Sequence, residues 1–194
     1  MARVALDHCL TGMEFAAGIP GSVGGALVMN AGAYGSEIKN ILKSARVMTN
    51  EGEVLELSVD ELELGYRTSC IPHRGYTVLE ASFQLEPGDQ EAIEARMKEL
   101  AARRREKQPL EYPSAGSTFK RPQGYFAGKL IEDAGLRGYG MGGARVSEKH
   151  CGFVINGGNA TASDVMALCG HIRKTVMEQS GVELEMEVKR WGEF

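Results

Sequence analysis

The chain has 194 residues, of which 43% are hydrophobic and 25% charged, a balance typical of one or two soluble domains and not of a disordered segment. A formal net charge of −4 argues against broad binding to nucleic acids or anionic membranes, although a local basic site can still hold a phosphorylated ligand. Since no apolar run reaches membrane-spanning length or resembles a signal peptide, we expect a cytoplasmic protein.

Residues 12–35 form the most distinctive segment, GMEFAAGIPGSVGGALVMNAGAYG, which is crowded with glycine and small or apolar residues. Glycine permits positive φ and close approach, and free backbone N–H groups leading into a helix can hold phosphate or flavin oxygens. The segment contains neither GxGxxG nor the P-loop pattern. On spacing alone, cofactor binding and turn building both stay open.

The next segments predict a sheet. Residues 45–49 and 54–59 have strand composition and flank the turn Asn50-Glu51-Gly52, which favours a hairpin. Residues 76–85 alternate with the period of a half-buried strand. This alternation predicts that one face carries Leu79, Ala81, Phe83 and Leu85, and the other carries Glu80, Ser82 and Gln84.

Residues 90–107 have apolar side chains at helical spacing, with Glu94/Lys98 and Glu99/Arg103 as i,i+4 pairs. We interpret this helix as a connector between two domains, and a surface helix within one domain is the alternative. The predicted organisation is residues 1–88, a connector at 89–110, and a second domain at 111–194.

The second domain alternates α and β. A small-residue turn and the basic pair Lys120-Arg121 precede a short helix ending near Gly135, and residues 151–156 form an apolar strand. Residues 161–164 resemble a capping box for a helix that runs to about Ser180 and ends at Gly181. Residues 182–191 alternate strictly and predict a final strand.

The four cysteines form no C-x-x-C pair, and the four histidines lack ligand spacing. These patterns disfavour a zinc knuckle, a thioredoxin-type site and a disulfide framework, so we expect reduced thiols and no metal site.

Seven segments, taken together and in this order, resemble the UDP-N-acetylenolpyruvoylglucosamine reductase (UDP-N-acetylmuramate dehydrogenase) family. They are GIPGSVGGALVMNAGAYG (18–35), ELGYRTS (63–69), AGSTFKRP (115–122), GYFAGKLIEDAGLRG (124–138), VSEKHCGFVIN (146–156), NATASDV (159–165) and ELEMEV (183–188). The resemblance implies an α+β chain, with the second half of a vanillyl-alcohol-oxidase-type FAD-binding domain followed by a small α/β substrate-binding domain. A tyrosine loop found in one branch of the family has no counterpart here, so the chain resembles the shorter branch.

The resemblance implies a flavoenzyme of peptidoglycan precursor synthesis, in which NADPH reduces FAD and the flavin reduces the enolpyruvyl ether of UDP-N-acetylglucosamine enolpyruvate. Hydride reaches the β-carbon, charge develops in the carboxylate, and the α-carbon then takes a proton. Three residues match the family's catalytic positions: Arg67 as the partner of the carboxylate, Ser117 as the proton donor, and Glu187 as the group that polarises the carboxyl.

Further site residues follow from the same resemblance. Lys120 and Arg121 are candidates for the substrate's pyrophosphate, and Tyr125 and His150 are weaker candidates for the nucleotide pocket. A tyrosine before a helix and a histidine before a buried strand are more often structural. The predicted FAD-binding positions are Gly18, Ile19, Pro20, Gly21, Ser22, Gly24, Gly25, Ala31 and Gly32.

Complete members of the family carry a further half-domain before the glycine-rich segment, including the first glycine-rich loop for the FAD pyrophosphate. The resemblance therefore predicts an N-terminally truncated chain, either because Met1 is an internal start or because the chain is a fragment. An incomplete fragment that retains only UDP-sugar binding is the main alternative function. A different flavin oxidase of the same superfamily is a second one, which the AGSTFKRP and ELEMEV segments disfavour. We expect a monomer with no nucleic-acid or membrane partner.

Overall fold

A computed structural model describes residues 1–192, so the last two positions of the predicted segment 111–194 lie outside the described residues. The chain mixes helices and short antiparallel sheets, in agreement with the predicted α+β class. It divides into two compact units, Met1–Arg103 and Arg104–Phe194, each with its own apolar core. Within the described part, no helix has the length and apolar character needed to cross a membrane.

The first unit is built mainly from short strands. Its elements in chain order are α1 (Ala2–Asp7), β1 (Leu10–Thr11), α2 (Val23–Val28), β2 (Gly32–Ala33), β3 (Ser36–Glu37), β4 (Leu42–Met48), β5 (Val54–Ser58), α3 (Cys70–His73), β6 (Thr77–Phe83), β7 (Glu86–Pro87) and α4 (Gln90–Lys107), whose last four residues fall in the second unit. The three-stranded sheet has the order β5-β4-β6, while β1 pairs with β7 and β2 with β3, all antiparallel. Met48 pairs with Val54, which confirms the predicted hairpin.

The apolar face predicted for residues 76–85 is wrong at one residue, Leu79. The pairing of β4 with β6 shifts by one residue between Arg46 and Val47, so Val47 lies opposite Val78 and Arg46 opposite Glu80. A bulge of this kind exchanges the faces of the residues beyond it. Val78 consequently packs on the core with Ala81, whereas Leu79 is 49% exposed.

Helix α4 confirms the helix predicted for residues 90–107. It buries Ile93 and Leu100, and its exposed side carries the predicted ion pairs Glu94–Lys98 and Glu99–Arg103 at 2.9 and 2.5 Å. Such exposed pairs contribute little to stability, so the two buried side chains fix the helix more than its charges do.

The second unit places helices against a four-stranded antiparallel sheet. Its elements are β8 (Ser114–Ser117), α5 (Ala127–Asp133), β9 (Gly140–Met141), β10 (Ala144–Val146), β11 (Phe153–Asn156) and α6 (Ala162–Ser180), with strand order β8-β11-β10-β9. The core between α5, α6 and the sheet contains side chains that are fully buried, among them Ile131, Val146, Leu168 and Ile172.

Helix α6 agrees with its sequence signals at both ends. The Thr161 hydroxyl accepts from the Asp164 N–H, and the Asp164 carboxylate accepts from the Thr161 N–H, which is the predicted capping box. The helix ends at Gly181 in the left-handed conformation.

The predicted strand at 182–191 is wrong as a regular element, because the structure shows only an isolated bridge between Phe119 and Met186. Two backbone hydrogen bonds flank the bridge, from Lys120 N to Glu185 O at 2.8 Å and from Glu187 N to Thr118 O at 2.9 Å. Pro122 follows shortly afterwards and has no N–H with which to extend the pairing, so the ladder ends.

Candidate functional site

The glycine-rich segment presents bare backbone at the surface of the first unit. Gly18, Gly21 and Gly25 are exposed, and Gly21 has φ +133 with no atom within 4 Å of the place where a Cβ would stand. The Ser22 hydroxyl caps the six-residue helix α2 by accepting from Gly25 N at 3.0 Å. A flat ring or a phosphate can therefore approach the main chain here without meeting side chains.

The C-terminal part of this segment is tied to the loop that carries Arg67. Three hydrogen bonds join alternate residues of the segment to that loop: Ser69 Oγ donates to Val28 O at 2.9 Å, Asn30 Nδ2 to Gly65 O at 3.1 Å, and Arg67 Nη2 to Gly32 O at 3.2 Å. The structure thus brings the predicted FAD-binding residue Gly32 into contact with the predicted catalytic Arg67.

Gly32 is required by packing. A Cβ at this position would lie 2.8 Å from the Ser36 carbonyl oxygen and 2.9 Å from Cβ of Glu37, because Gly32 is paired directly with Glu37 on the neighbouring strand β3. Any side chain would force the hairpin apart, and with it the carbonyl that accepts from Arg67.

Arg67 has a strained backbone. Gly65 and Thr68 pair around a two-residue turn formed by Tyr66 and Arg67, and Arg67 has φ +54, a region in which turns prefer glycine or asparagine. An arginine here costs roughly 1–2 kcal/mol. Its guanidinium carbon stands 5.0 Å from the centre of the Tyr66 ring, which adds a cation–π contact. Such strain is typical of residues whose position serves function.

In the second unit, Ser117 and Glu187 lie on neighbouring extended segments, with Thr118 between them. Ser117 is the exposed last residue of β8 and pairs with Phe153 on β11, and Glu187 is half-buried. Thr118 donates its N–H to Gly152 O at 2.9 Å and accepts from Glu187 N through its carbonyl. The Thr118 hydroxyl also accepts from Val154 N at 2.9 Å. One residue therefore holds β8, β11 and the segment of Glu187 together.

The two predicted pyrophosphate cations have different surroundings. Lys120 is ion-paired with Glu185 at 2.5 Å, and the Arg121 Nε donates to the Tyr125 carbonyl at 3.2 Å while the guanidinium covers the Phe126 ring at 3.9 Å. The exposed Tyr125 thus orients Arg121 through its backbone. Arg121 is fixed over a ring at the start of α5, and Lys120 shares its charge with a carboxylate.

His150 lies against Gly128 of α5 and contacts main chain. Gly152 N donates to its Nδ1 at 3.1 Å, and a Cβ on Gly152 would lie 2.9 Å from its Cε1. Burial lowers the pKa of His150, so the imidazole is neutral near pH 7 with its proton on Nε2. These contacts support a structural role for His150.

An open groove of about 600 Å³ lies beside residues 183–190 of this unit. Arg173 bonds to Glu183 at 3.1 Å and to the Leu184 carbonyl at 3.0 Å along this groove, so its charge is already paired. The groove mixes acidic and basic side chains, being lined by Arg173, Glu183, Glu185, Met186, Val188 and Arg190. This mixture does not suit a pyrophosphate.

Sequence reasoning missed Asn30 and Thr118. Both are buried polar residues whose side chains bond to main chain in distant parts of the sequence, Asn30 to Gly65 and Thr118 to Val154. The sequence signal for both residues is a polar side chain within a run of small or apolar residues, which does not indicate its bonding partner. Among the described residues, no cluster of histidine, cysteine or acidic side chains could hold a metal ion.

Comparisons with known proteins agree with the order of these two candidate sites along the chain. A family model described as FAD binding domain matches residues 2–58, and one described as UDP-N-acetylenolpyruvoylglucosamine reductase, C-terminal domain, matches residues 108–191. The two matches confirm the predicted arrangement of an FAD-binding part followed by a substrate-binding part.

Relatives of known sequence and structure carry the same description. UDP-N-acetylenolpyruvoylglucosamine reductase of Lachnoclostridium phytofermentans is 65% identical over 187 residues, covering 96% of this chain and 60% of the relative. That of Agathobacter rectalis is 61% identical over 194 residues, 100% of this chain and 62% of the relative. The crystal structure of UDP-N-acetylenolpyruvylglucosamine reductase (MurB) from Thermus caldophilus has a TM-score of 0.86 and 35% identity, over 98% of this chain and 68% of that one. The chain spans about three fifths of the length of the two curated relatives.

Proposed function

Because this chain belongs to the UDP-N-acetylenolpyruvoylglucosamine reductase family, we propose that it binds FAD and reduces UDP-N-acetylglucosamine enolpyruvate to UDP-N-acetylmuramate with NADPH as the reductant. The observation that carries this proposal is the 65% identity to a reductase of that name across 96% of the chain. The product is a peptidoglycan precursor, so the role extends to cell wall biogenesis and, through it, to cell shape and division. We place the protein in the cytoplasm as a monomer.

The glycine-rich segment fits a bound flavin. Exposed backbone at Gly18, Gly21 and Gly25 can lie against a flat group, as the open space at Gly21 supports. Bound FAD would supply the hydride that the β-carbon of the enolpyruvyl group receives.

The roles of the chain's own side chains follow from where charge develops. The Arg67 guanidinium holds the substrate carboxylate as negative charge moves into it, a task that suits a permanently charged planar group. Ser117 donates the proton to the α-carbon from an exposed strand end, and Glu187 polarises the carboxyl from the adjacent segment. Lys120 exchanges Glu185 for the substrate pyrophosphate, and Arg121 supports it from its place over Phe126.

The proposal is tested by titrating the purified chain with FAD and then adding NADPH and the enolpyruvyl substrate anaerobically. Saturable flavin binding, bleaching by NADPH and recovery of flavin absorbance on adding substrate are expected. The chain spans about three fifths of its relatives, and the second candidate function is binding of the UDP-sugar without flavin chemistry. That candidate predicts substrate binding by calorimetry without flavin binding or bleaching.

Ser117→Ala separates the reaction of the flavin with the enolpyruvyl substrate from the reduction of the flavin by NADPH. Flavin reduction by NADPH should be unchanged, whereas reoxidation by the substrate should slow by roughly 10²–10⁴-fold, the range for a lost general acid. Ser114→Ala, an exposed serine at the other end of β8, is the matched control and should leave both steps intact. Equal loss of both half-reactions in Ser117→Ala would make Ser117 a structural residue.

A further inference from the structure

Asn30 is a fully buried polar residue with a left-handed backbone. It follows α2 with φ +42, a conformation that asparagine and aspartate tolerate better than other side chains with a Cβ. Its Oδ1 accepts from Lys39 N at 2.9 Å, and its Nδ2 donates to Gly65 O at 3.1 Å. A buried amide must be satisfied, so these two bonds fix the side chain between Lys39 and the loop that carries Arg67.

Gly65 is the base of the turn that carries Arg67. Its N–H donates to Thr68 O at 3.1 Å, and its carbonyl accepts from Thr68 N at 3.4 Å as well as from Asn30. The unfavourable φ of Arg67 persists only if the surrounding structure holds the turn. The buried Asn30 amide reaches the turn's first residue.

The guanidinium of Arg67 returns to the same segment, since its Nη2 donates to Gly32 O two residues beyond Asn30. The glycine-rich segment therefore bonds both to Gly65, the first residue of the turn, and to the end of the Arg67 side chain. We propose that Asn30 is a positioning residue for Arg67, aiming the guanidinium through the Gly65 carbonyl. This inference rests on the proposed function only in so far as Arg67 holds the substrate carboxylate.

Asn30→Asp removes one bond when the introduced carboxyl is ionised, so the assays are run at alkaline pH to oppose the protonation that burial favours. The introduced carboxylate keeps an acceptor for Lys39 N and tolerates the left-handed backbone, but it places an oxygen against Gly65 O where the amide donated. Because small misplacements of a catalytic group are costly, reoxidation of reduced flavin by the enolpyruvyl substrate should slow by about 10-fold or more. Flavin reduction by NADPH should stay within about twofold of wild type, because the role proposed for Arg67 lies in the reaction with the enolpyruvyl substrate.

Asp89→Ala is the matched control in the same unit. The Asp89 carboxylate caps the start of α4 by accepting from Ala92 N at 2.8 Å, so its loss destabilises the first unit without touching the Arg67 turn. Both half-reactions should be preserved in this variant at temperatures where it is folded. If Asn30→Asp leaves reoxidation unchanged, or slows both half-reactions equally, the proposal is overturned.

If the wild-type chain shows no turnover, the proposed function fails, but the role of Asn30 can still be tested. A double-mutant cycle on folding stability provides that test. Folding equilibrium constants are measured for Asn30→Asp, Arg67→Met and the double variant. We expect the double variant to depart from the product of the single effects by at least about threefold, because coupled residues are non-additive. Independent effects overturn the proposal. If Asn30→Asp does not fold, Asn30→Gly, which also accepts φ +42, takes its place in both assays.

Discussion

Thr118→Val should destabilise the second unit although it changes the side chain's shape hardly at all. Thr118 is 3% exposed, and its hydroxyl accepts from Val154 N at 2.9 Å in buried surroundings. The pairing of β8 with β11 shifts register between Phe153 and Ile155, so the intervening Val154 N–H depends on a side-chain acceptor. Valine leaves that N–H buried and unpaired, which costs about 1–3 kcal/mol.

Thr118→Ser is the matched variant. It keeps the hydroxyl and removes one methyl group, a loss of about 0.8 kcal/mol. The hydrogen bonds of the Thr118 main chain to Gly152 and Glu187 are present in both variants, so the comparison isolates the hydroxyl. In a chain of this size, each kcal/mol shifts Tm by about 2–4 °C.

The measurement combines urea unfolding followed by circular dichroism with hydrogen exchange at the Val154 amide. Thr118→Val should lower the urea midpoint without changing the m-value and should speed exchange at Val154, while Thr118→Ser keeps that amide protected. A Thr118→Val protein as stable as wild type, with Val154 still slow to exchange, would refute the assignment of Thr118 as the residue that joins these strands.

Three further outcomes are expected. Gly170→Ala should raise the free energy of unfolding by about 0.5–1 kcal/mol in thermal melts, because Gly170 is an exposed interior residue of α6 with no atom within 4 Å of an added Cβ. Burial lowers the pKa of His150, so its contribution to stability is present above the unfolded pKa of about 6.5 and is lost as the pH falls through the folded pKa. His150→Asn keeps an acceptor for Gly152 N and should flatten the pH dependence of Tm below about pH 6.5. Burial raises the pKa of the Cys169 thiol to about 11, so peptide mass spectrometry should find native-state iodoacetamide labelling at the exposed Cys9 and at Cys169 only after denaturation.

Local signals predicted the three longest helices, α4, α5 and α6, but not the short helices α1 and α3. Helix α6 was predicted with its capping box and its stop at Gly181, because caps involve residues within one turn of each other. The hairpin of β4 and β5 was also predicted, because its turn and the strand residues that flank it are close in sequence. Leu79 was misassigned, since a bulge depends on the partner strand and leaves no mark in a two-residue alternation.

The site was only partly accessible to sequence reasoning. Motif resemblance selected Arg67, Ser117 and Glu187, whose roles stay predictions, but it gave no indication of what holds them. Asn30 acts on a residue 35 positions away and Thr118 on one 36 positions away. Such partners become neighbours only after folding, so neither periodicity nor composition can indicate them.

Charged residues on the three-stranded sheet disfavour the addition of a strand from a second copy of the chain. Arg46 on the central strand lies opposite Glu56 on β5 and Glu80 on β6, and it pairs with Glu80 at 2.9 Å. This pair is exposed and stabilises the fold little. In the part of the chain that the structure describes, β5 and β6 are the sheet's two edges, so each edge presents a carboxylate beside exposed Val54 or Leu79. A second copy adding a strand at either edge would have to desolvate that carboxylate, so the row of charges keeps neighbouring molecules apart.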